Sequence, residues 1–262
     1  QGEHLTPPLL GLIAAAGRES VLAVAPPRVA VIATGDEVLA PGRPMAEGQL
    51  YASNLVEICA WLKLGGIPYE ALIVGDRLVD IREAVRMRIE RTDVFLTSGG
   101  AWGSEKDLIF KAVEKLEWQG IYHRVRMGPG KPVGFGLLAG KPFFVLPGGP
   151  PSNEMAFLQL ALPALRKMAG SRPQPFPTAK ARLGKSLTGE KGWTEFIHAR
   201  LEQGQDGLHV HPSLPASRLV SMARKQAIIR IPEEREELTA GEKITIQLFG
   251  TAAAGGYHPC RS

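Results

Sequence analysis

The 262 residues carry 31 Lys plus Arg against 26 Asp plus Glu, a formal net charge of +5, and 44% are hydrophobic; this is room for a large core or two domains, with no signature of disorder. No apolar run is long enough to span a bilayer and there is no basic, apolar, small-residue leader, so neither a membrane protein nor a secreted one is expected. The cationic surplus suits an anionic ligand but is too dispersed, and too free of basic–aromatic interleaving, for nucleic-acid binding.

The chain opens on Gln1 rather than Met, so a fragment or a processed chain is expected. Residues 5–17 (LTPPLLGLIAAAG) predict a short apolar helix closed by Gly17, inside an N-terminal helical segment 1–27. From Arg28 to about Gly170 strands and helices alternate. The β-branched run in 27–37 (PRVAVIATGDE) is a buried strand ending in a glycine turn. Ser53–Leu64 is a helix with a Ser53 or Asn54 cap, followed by a strand ending ALIVGD, a charged helix from Leu78 to Arg91 and the strand DVFLTSGG. Next come a helix from about Glu105 to Glu117, the strand-like IYHRVRM, the strand pair around VGFGLL and PFFVLP, and a helix from Ser152 to Met168. This alternation predicts an α/β domain, a mostly parallel sheet with helices on both faces, over 28–170. The Pro-rich SRPQPFP (171–177) is a boundary, and the short alternating strands FIHARL, LHVHP, QAIIRIP and KITIQLF predict a small all-β, barrel-like domain over 171–250. The tail 251–262 has no periodicity and is expected to be flexible. Cys59 and Cys260 lack any CxxC or Cys/His ligand spacing, so a reducing cytoplasm is expected and a cysteine-built metal site is not.

Three segments share one grammar, strand then glycine turn: Thr34-Gly35-Asp36-Glu37, Ser98-Gly99-Gly100, and Pro147-Gly148-Gly149. Open α/β sheets bind ligands at the carboxyl ends of their strands, so the three turns predict one shared pocket, an anion site with a metal beside it. Asp36 and Glu37 are either hard-cation ligands or a capped turn. Asp76 and Asp107 invite the same choice, ligand or helix-terminal acid. Lys131 stands on the stiff Pro129-Gly130-Lys131-Pro132 turn, and alternation would put Arg124 and Arg126 upstream of it on one strand face; these cations either neutralise a phosphate or oxyanion or form a solvated basic edge. His209 and His211 alternate on one strand, where without a third ligand a surface role is the simpler reading. No nucleophile elbow, Walker loop or dinucleotide fingerprint is present.

Taken in order, PRVAVIATGDE, GQLYASN, LTSGG with Asp107 seven residues beyond Gly100, PGKP, LPGGPPSNEMAF, GWTEFIHARL and SRLVSMARKQAIIRIP resemble the molybdopterin molybdenumtransferase family of the MoeA and gephyrin E-domain type over nearly the whole chain. The resemblance implies insertion of molybdate into adenylylated molybdopterin with Mg2+ and release of AMP. It also implies a homodimer, contact with other cofactor-assembly proteins, and two upstream domains that this chain does not carry. By position it implies Asp36, Glu37 and Asp107 as metal ligands, and Asp107, Lys131, Arg124 and Asp76 as catalytic residues. Thr34, Gly35, Ser98, Gly99, Gly100, Pro147, Gly148 and Ser217 would bind the pterin. Several family positions differ: Gly128 stands where a second cation is usual, His198 and Trp193 replace arginines, Trp102 a serine, Gly149 an asparagine and Ala52 an aspartate. A pocket that keeps its acids and loses cations is expected to bind metal and pterin yet insert molybdenum poorly, because one lost donor to a developing anion can cost roughly 100- to 1000-fold. A carrier or sensor of the pterin, or a scaffold, is the alternative.

Overall fold

A computed structural model describes residues 2–99, 108–171, 176–213 and 217–249. Helix α1 (Pro7–Ala15) starts at Thr6, whose Oγ1 accepts the Leu9 N–H, and is followed by Gly17 at φ +70°, the left-handed turn expected of a glycine there. Then come β1 (Val29–Thr34), the short parallel pair β2 (Val38–Leu39) and β3 (Leu50–Tyr51), α2 (Ser53–Leu64), β4 (Tyr69–Val74), α3 (Leu78–Arg86) and β5 (Val94–Ser98). After α4 (Leu108–Val113) run β6 (Trp118–His123), β7 (Met127–Gly128), β8 (Gly134–Leu138), β9 (Lys141–Leu146), α5 (Pro150–Ala156) and α6 (Leu162–Met168).

The first sheet has the order β4-β1-β5-β9-β8-β6, parallel from β4 to β9 and antiparallel beyond. Every residue of β1 and β5 is buried, which is why both read as continuous apolar runs. Side-chain alternation divides them between two cores. Val29, Val31, Val94 and Leu96 meet α2, α5 and α6 through Ile58, Leu62, Met155 and Leu165; Ala30, Ile32 and Phe95 meet α3 and α4 through Ile81, Val85 and Ile109. The predicted mostly parallel sheet with helices on both faces is the observed one.

The second sheet follows: β10 (Thr178–Leu183), β11 (Leu187–Thr188), β12 (Thr194–Gly204), β13 (Gly207–Pro212), α7 (Arg218–Ala223), β14 (Ala227–Ile231), β15 (Glu237–Leu238) and β16 (Lys243–Leu248). Its order β13-β10-β16-β14-β12 closes on itself through β12–β13, giving a small five-stranded barrel. The short β7, from the α/β part of the chain, adds to β12 in parallel, with Met127 opposite Thr194 and Gly128 opposite Glu195. The larger core runs into the barrel through Ile228 and Phe249, while Trp61 of α2 meets Phe176 and Phe249 edge-on at centroid distances of 5.7 and 6.1 Å.

Some element expectations shift. The run IYHRVRM is not one strand: β6 stops at His123, Arg124 takes φ +71°, and the chain leaves the first sheet for the barrel. The charged helix ends at Arg86 and gives way to a 3-10 turn over Ile89–Arg91. The described part of the helix expected from about Glu105 to Glu117 is α4, already finished at Val113, and Glu117 stands at φ +55°. The Ser152–Met168 helix begins two residues earlier, at Pro150, and widens to a π turn over Phe157–Ala161. There the Leu162 N–H reaches Phe157 O, five residues back, a register that accommodates Pro163, which has no N–H and crowds the carbonyl four residues before it.

Candidate active site

The three predicted glycine turns do converge. Thr34 at the end of β1, Ser98 and Gly99 at the end of β5, and Gly148 and Gly149 after β9 line one cleft of about 320 Å3 at the carboxyl edge of the parallel strands, with Glu37 and Asn54 also on its wall. Two asparagines hold the turns together. Asn54 Nδ2 donates to Gly148 O at 2.8 Å and Ser98 Oγ at 3.3 Å; Asn153 Nδ2 donates to Pro147 O at 2.7 Å and Ser98 Oγ at 3.0 Å. The Asn54 amide is therefore committed to the cleft, and Ala52, not Ser53 or Asn54, occupies the N-cap of α2. Gly99 sits at φ +111°, and a Cβ there would lie 2.9 Å from both Thr34 O and Thr34 Oγ1. Glycine is needed at that position by conformation and by contact.

The acids of the first turn diverge. Glu37 folds back over Gly35, with Oε2 2.6 Å from where a Cβ of that residue would be, and lines the cleft. Asp36 turns outward to Asp76: the Asp76 N–H donates to Asp36 Oδ1 at 3.0 Å and the Asp36 N–H to Asp76 Oδ2 at 3.4 Å. These exposed carboxylates cap one another's backbone and keep oxygens free, a donor set suited to a hard cation. Among the described residues no group of three or more His, Cys, Asp or Glu side chains could hold a metal ion. Asp107 and Gly100, both predicted for the site, lie outside the described residues, as does Trp102.

Lys131 and Arg124 line a neighbouring and larger cleft of about 630 Å3 between the sheet domain and the barrel, shared with Pro147, Gly149, Trp193, Glu195 and Arg218. Lys131 Nζ stands 5.0 Å from the centroid of the Trp193 ring, a cation–π contact that holds the ammonium on the barrel side. Arg126 does not share a face with Arg124; its Nη1 reaches the Gly192 turn, because the chain crosses to the barrel between them. A third cleft, about 390 Å3, adjoins along Pro129, Gly149 and Ser152 and adds His198, Ser213 and Ser221. Gly149 touches all three, so they are lobes of one groove. Ser217 is not on its wall: it precedes α7 with no side-chain cap bond, and its neighbour Arg218 faces the groove instead. His209 and His211 each face an acid, Asp206 at 2.6 Å and Glu202 at 3.0 Å, as surface pairs.

Asn153 and Arg218 were not singled out by sequence. The one signal for Asn153, which is only 2% exposed, is an amide standing just ahead of EMAFLQLAL, a run apolar but for Glu154 and Gln159.

A parallel sheet with a glycine-walled cleft at its strand ends, joined to a small closed barrel, with Arg124 and Lys131 from the sheet side and Arg218 from the barrel side of the groove, defines an α/β protein of the open-sheet class with a β-barrel partner. The comparisons give that class its family. A model described as "Probable molybdopterin binding domain" matches residues 30–167, and one described as "MoeA C-terminal region (domain IV)" matches residues 180–249. The chain is 33% identical over 253 residues to molybdopterin molybdenumtransferase 2 of Mycobacterium tuberculosis, covering 94% of this chain and 62% of that protein. To molybdopterin molybdenumtransferase of Haemophilus influenzae it is 28% identical, over 95% of this chain and 63% of the other. The crystal structure of a molybdopterin biosynthesis MoeA protein from Pyrococcus horikoshii superposes with a TM-score of 0.81 at 29% identity, over 95% of this chain and 61% of that one. The chain therefore belongs to the MoeA-type molybdopterin-binding family, and it spans somewhat under two thirds of the length of these relatives.

Proposed function

We propose that this chain carries the substrate-binding part of a molybdopterin molybdenumtransferase, inserting molybdate into adenylylated molybdopterin with release of AMP. The observation that carries the reading is the convergence of three strand-end glycine turns on one cleft, in a chain matching the family over both domains. The pterin and its phosphate would lie against the Thr34, Ser98–Gly99 and Pro147–Gly148 turns, whose small residues let a ligand approach the backbone closely. Lys131, Arg124 and Arg218 border the adjoining lobes and would neutralise oxyanion and phosphate charge. Asp36 and Glu37, with Asp107, would hold Mg2+, which when bound would offset the charge of the phosphoanhydride. Asp76 would position Asp36 as an oxygen donor, since each carboxylate accepts the other's backbone N–H. We read 28–170 as the pterin domain and 171–250 as its β partner, working in the cytoplasm as a homodimer with other cofactor-assembly proteins.

The test is AMP release from adenylylated molybdopterin by the purified protein, with Mg2+ and molybdate each added or withheld. Molybdate-dependent AMP release, lowered at least roughly 100-fold in Lys131→Ala and in Asp107→Ala, is the expected result. Binding of the nucleotide-pterin with no release under any condition would make the protein a carrier instead.

A further inference from the structure

Directly behind the groove lies a cluster of four titratable side chains, from four different segments, that the proposed chemistry does not use. Glu154 on α5 is only 2% exposed, yet its carboxylate accepts from His198 Nε2 of β12 at 2.7 Å and from Lys225 Nζ, just beyond α7. Lys225 also donates to Met222 O at 3.1 Å and lies 5.5 Å from the Phe249 ring centroid. The fourth member, Glu57 on α2, is half-buried and close enough to Glu154 and to the Trp61 side chain one turn further on for both to act on its titration. Two acids from the sheet domain thus meet two basic groups from the barrel, with Glu154 buried and the other three partly so.

Placement gives the cluster its consequence. Asn54 is the second residue of α2 and Asn153 the fourth of α5, the two amides that bind the glycine turns. Glu57 is three residues beyond the first and Glu154 adjoins the second. His198 is both a ligand of Glu154 and part of the groove wall. We infer that Glu57, Glu154, His198 and Lys225 form a protonation-dependent latch between the two domains: Glu154 is the positioning residue that holds His198 in the groove wall, and Glu57 carries the proton that keeps the latch closed.

The charges explain why a proton is needed. Burial works against ionisation of Glu154, but the His198 hydrogen bond, the Lys225 charge and the Glu57 hydrogen bond together hold it below the usual carboxylate range. Glu57 goes the other way, pushed up to about 8, first by burial and then by the adjacent Glu154 carboxylate, with Lys225 and Trp61 only partly opposing. Protonated, Glu57 can donate to Glu154, and one buried lysine balances one buried carboxylate. Ionised, it sets a second carboxylate against the first beside a single lysine, a charge the interface relieves by opening to water. Because an open latch releases the Glu57 proton near the ordinary carboxylate range, opening becomes easier as pH rises towards 8 and levels off above it.

Hydrogen exchange by mass spectrometry reads this without any substrate, so failure here leaves the proposed function standing, and failure of that function leaves the latch standing. In the wild type, the opening ratio of amides in 53–64, 150–161 and 225–228, corrected for intrinsic exchange, should rise by on the order of tenfold or more from pH 6 to pH 8 and flatten above. Glu57→Gln keeps the shape and the hydrogen-bond donor but cannot titrate, and should abolish that rise. Glu154→Gln should show raised opening already at pH 6. The latch is overturned if Glu57→Gln follows the wild-type pH profile or if the wild-type profile is flat. Should Glu154→Gln fail to fold, the Glu57→Gln profile alone decides.

Discussion

Replacing Asn153 by alanine tests the architecture of the groove at its most enclosed polar point. The amide is 2% exposed and makes two hydrogen bonds, to Pro147 O at 2.7 Å and Ser98 Oγ at 3.0 Å. A typical buried hydrogen bond contributes about 1 kcal/mol net, and a carbonyl left buried without a donor costs about 1–3 kcal/mol. Ser98 keeps a second donor in Asn54 at 3.3 Å, so its loss is partial, whereas no other side-chain donor to Pro147 O is seen among the described residues. The sum is about 2–3 kcal/mol, equivalent to about 5–10 °C in Tm for a protein of this size. Asn54→Ala provides the contrast: its amide is more open, water can replace it at Gly148 O, and about 1 kcal/mol is expected. Calorimetric unfolding of both variants at pH 7 checks the ranking. Equal losses, or an Asn153→Ala protein within about 0.5 kcal/mol of wild type, would refute the view that this amide holds the third glycine turn against the second.

Two further outcomes are expected. Gly99→Ala should lose about 2 kcal/mol or more by denaturant titration, since φ +111° is strained for alanine and its Cβ would meet Thr34 O and Oγ1 at 2.9 Å; an unchanged midpoint would show that the turn gives way freely. Asp93 accepts from the Arg28 backbone N–H at 2.8 Å and from its guanidinium at 3.0 and 2.9 Å, and the arginine holds its carboxyl at about 2. This folded value lies below the unfolded one, so the pair's contribution is present above about pH 4 and lost as pH falls towards 2. Solvent keeps the effect modest at side-chain exposures of 54% and 37%, so Asp93→Asn should lower Tm slightly at pH 7 and converge on the wild type as pH falls towards 2, which flattens the acid limb of the Tm–pH curve.

What could be read from the chain alone follows from how locally each feature is determined. β1, β5 and β9 announce themselves because strands covered on both faces must be apolar throughout, and their glycine turns are visible as letters. α2 was legible to the residue. The passage from His123 to Gly128 was not, because its fate depends on a partner strand 67 residues later, at Thr194 and Glu195; read in isolation, RVR alternates like any strand. The same holds for Asp36 and Glu37, whose divergence is decided by a carboxylate 40 residues away at Asp76. Glu57, Glu154, His198 and Lys225 carry no common local mark at all. A glutamate inside an apolar helix looks like a surface position until the barrel's histidine and lysine arrive. The recurring lesson is that main-chain geometry was inferable where burial was symmetrical, and side-chain partnerships across the domain junction were not.

The short β7 has a consequence for how this groove can change over time. Its bonds to β12 are main-chain bonds, indifferent to which side chains the paired residues bear. On the far side, Arg124 N–H to Val133 O at 2.8 Å and Val125 N–H to Lys131 O at 3.0 Å close the loop onto itself. A segment tied at both ends in this way is constrained in length far more tightly than in composition. Single letters within it, such as Gly128, can be exchanged while Lys131 stays opposite Trp193, but inserting or deleting even one residue would slide the lysine out of its place. The groove can thus be retuned charge by charge at positions such as Gly128, while Gly130, at φ +123° with a Cβ that would meet Met127, and the loop's length stay fixed.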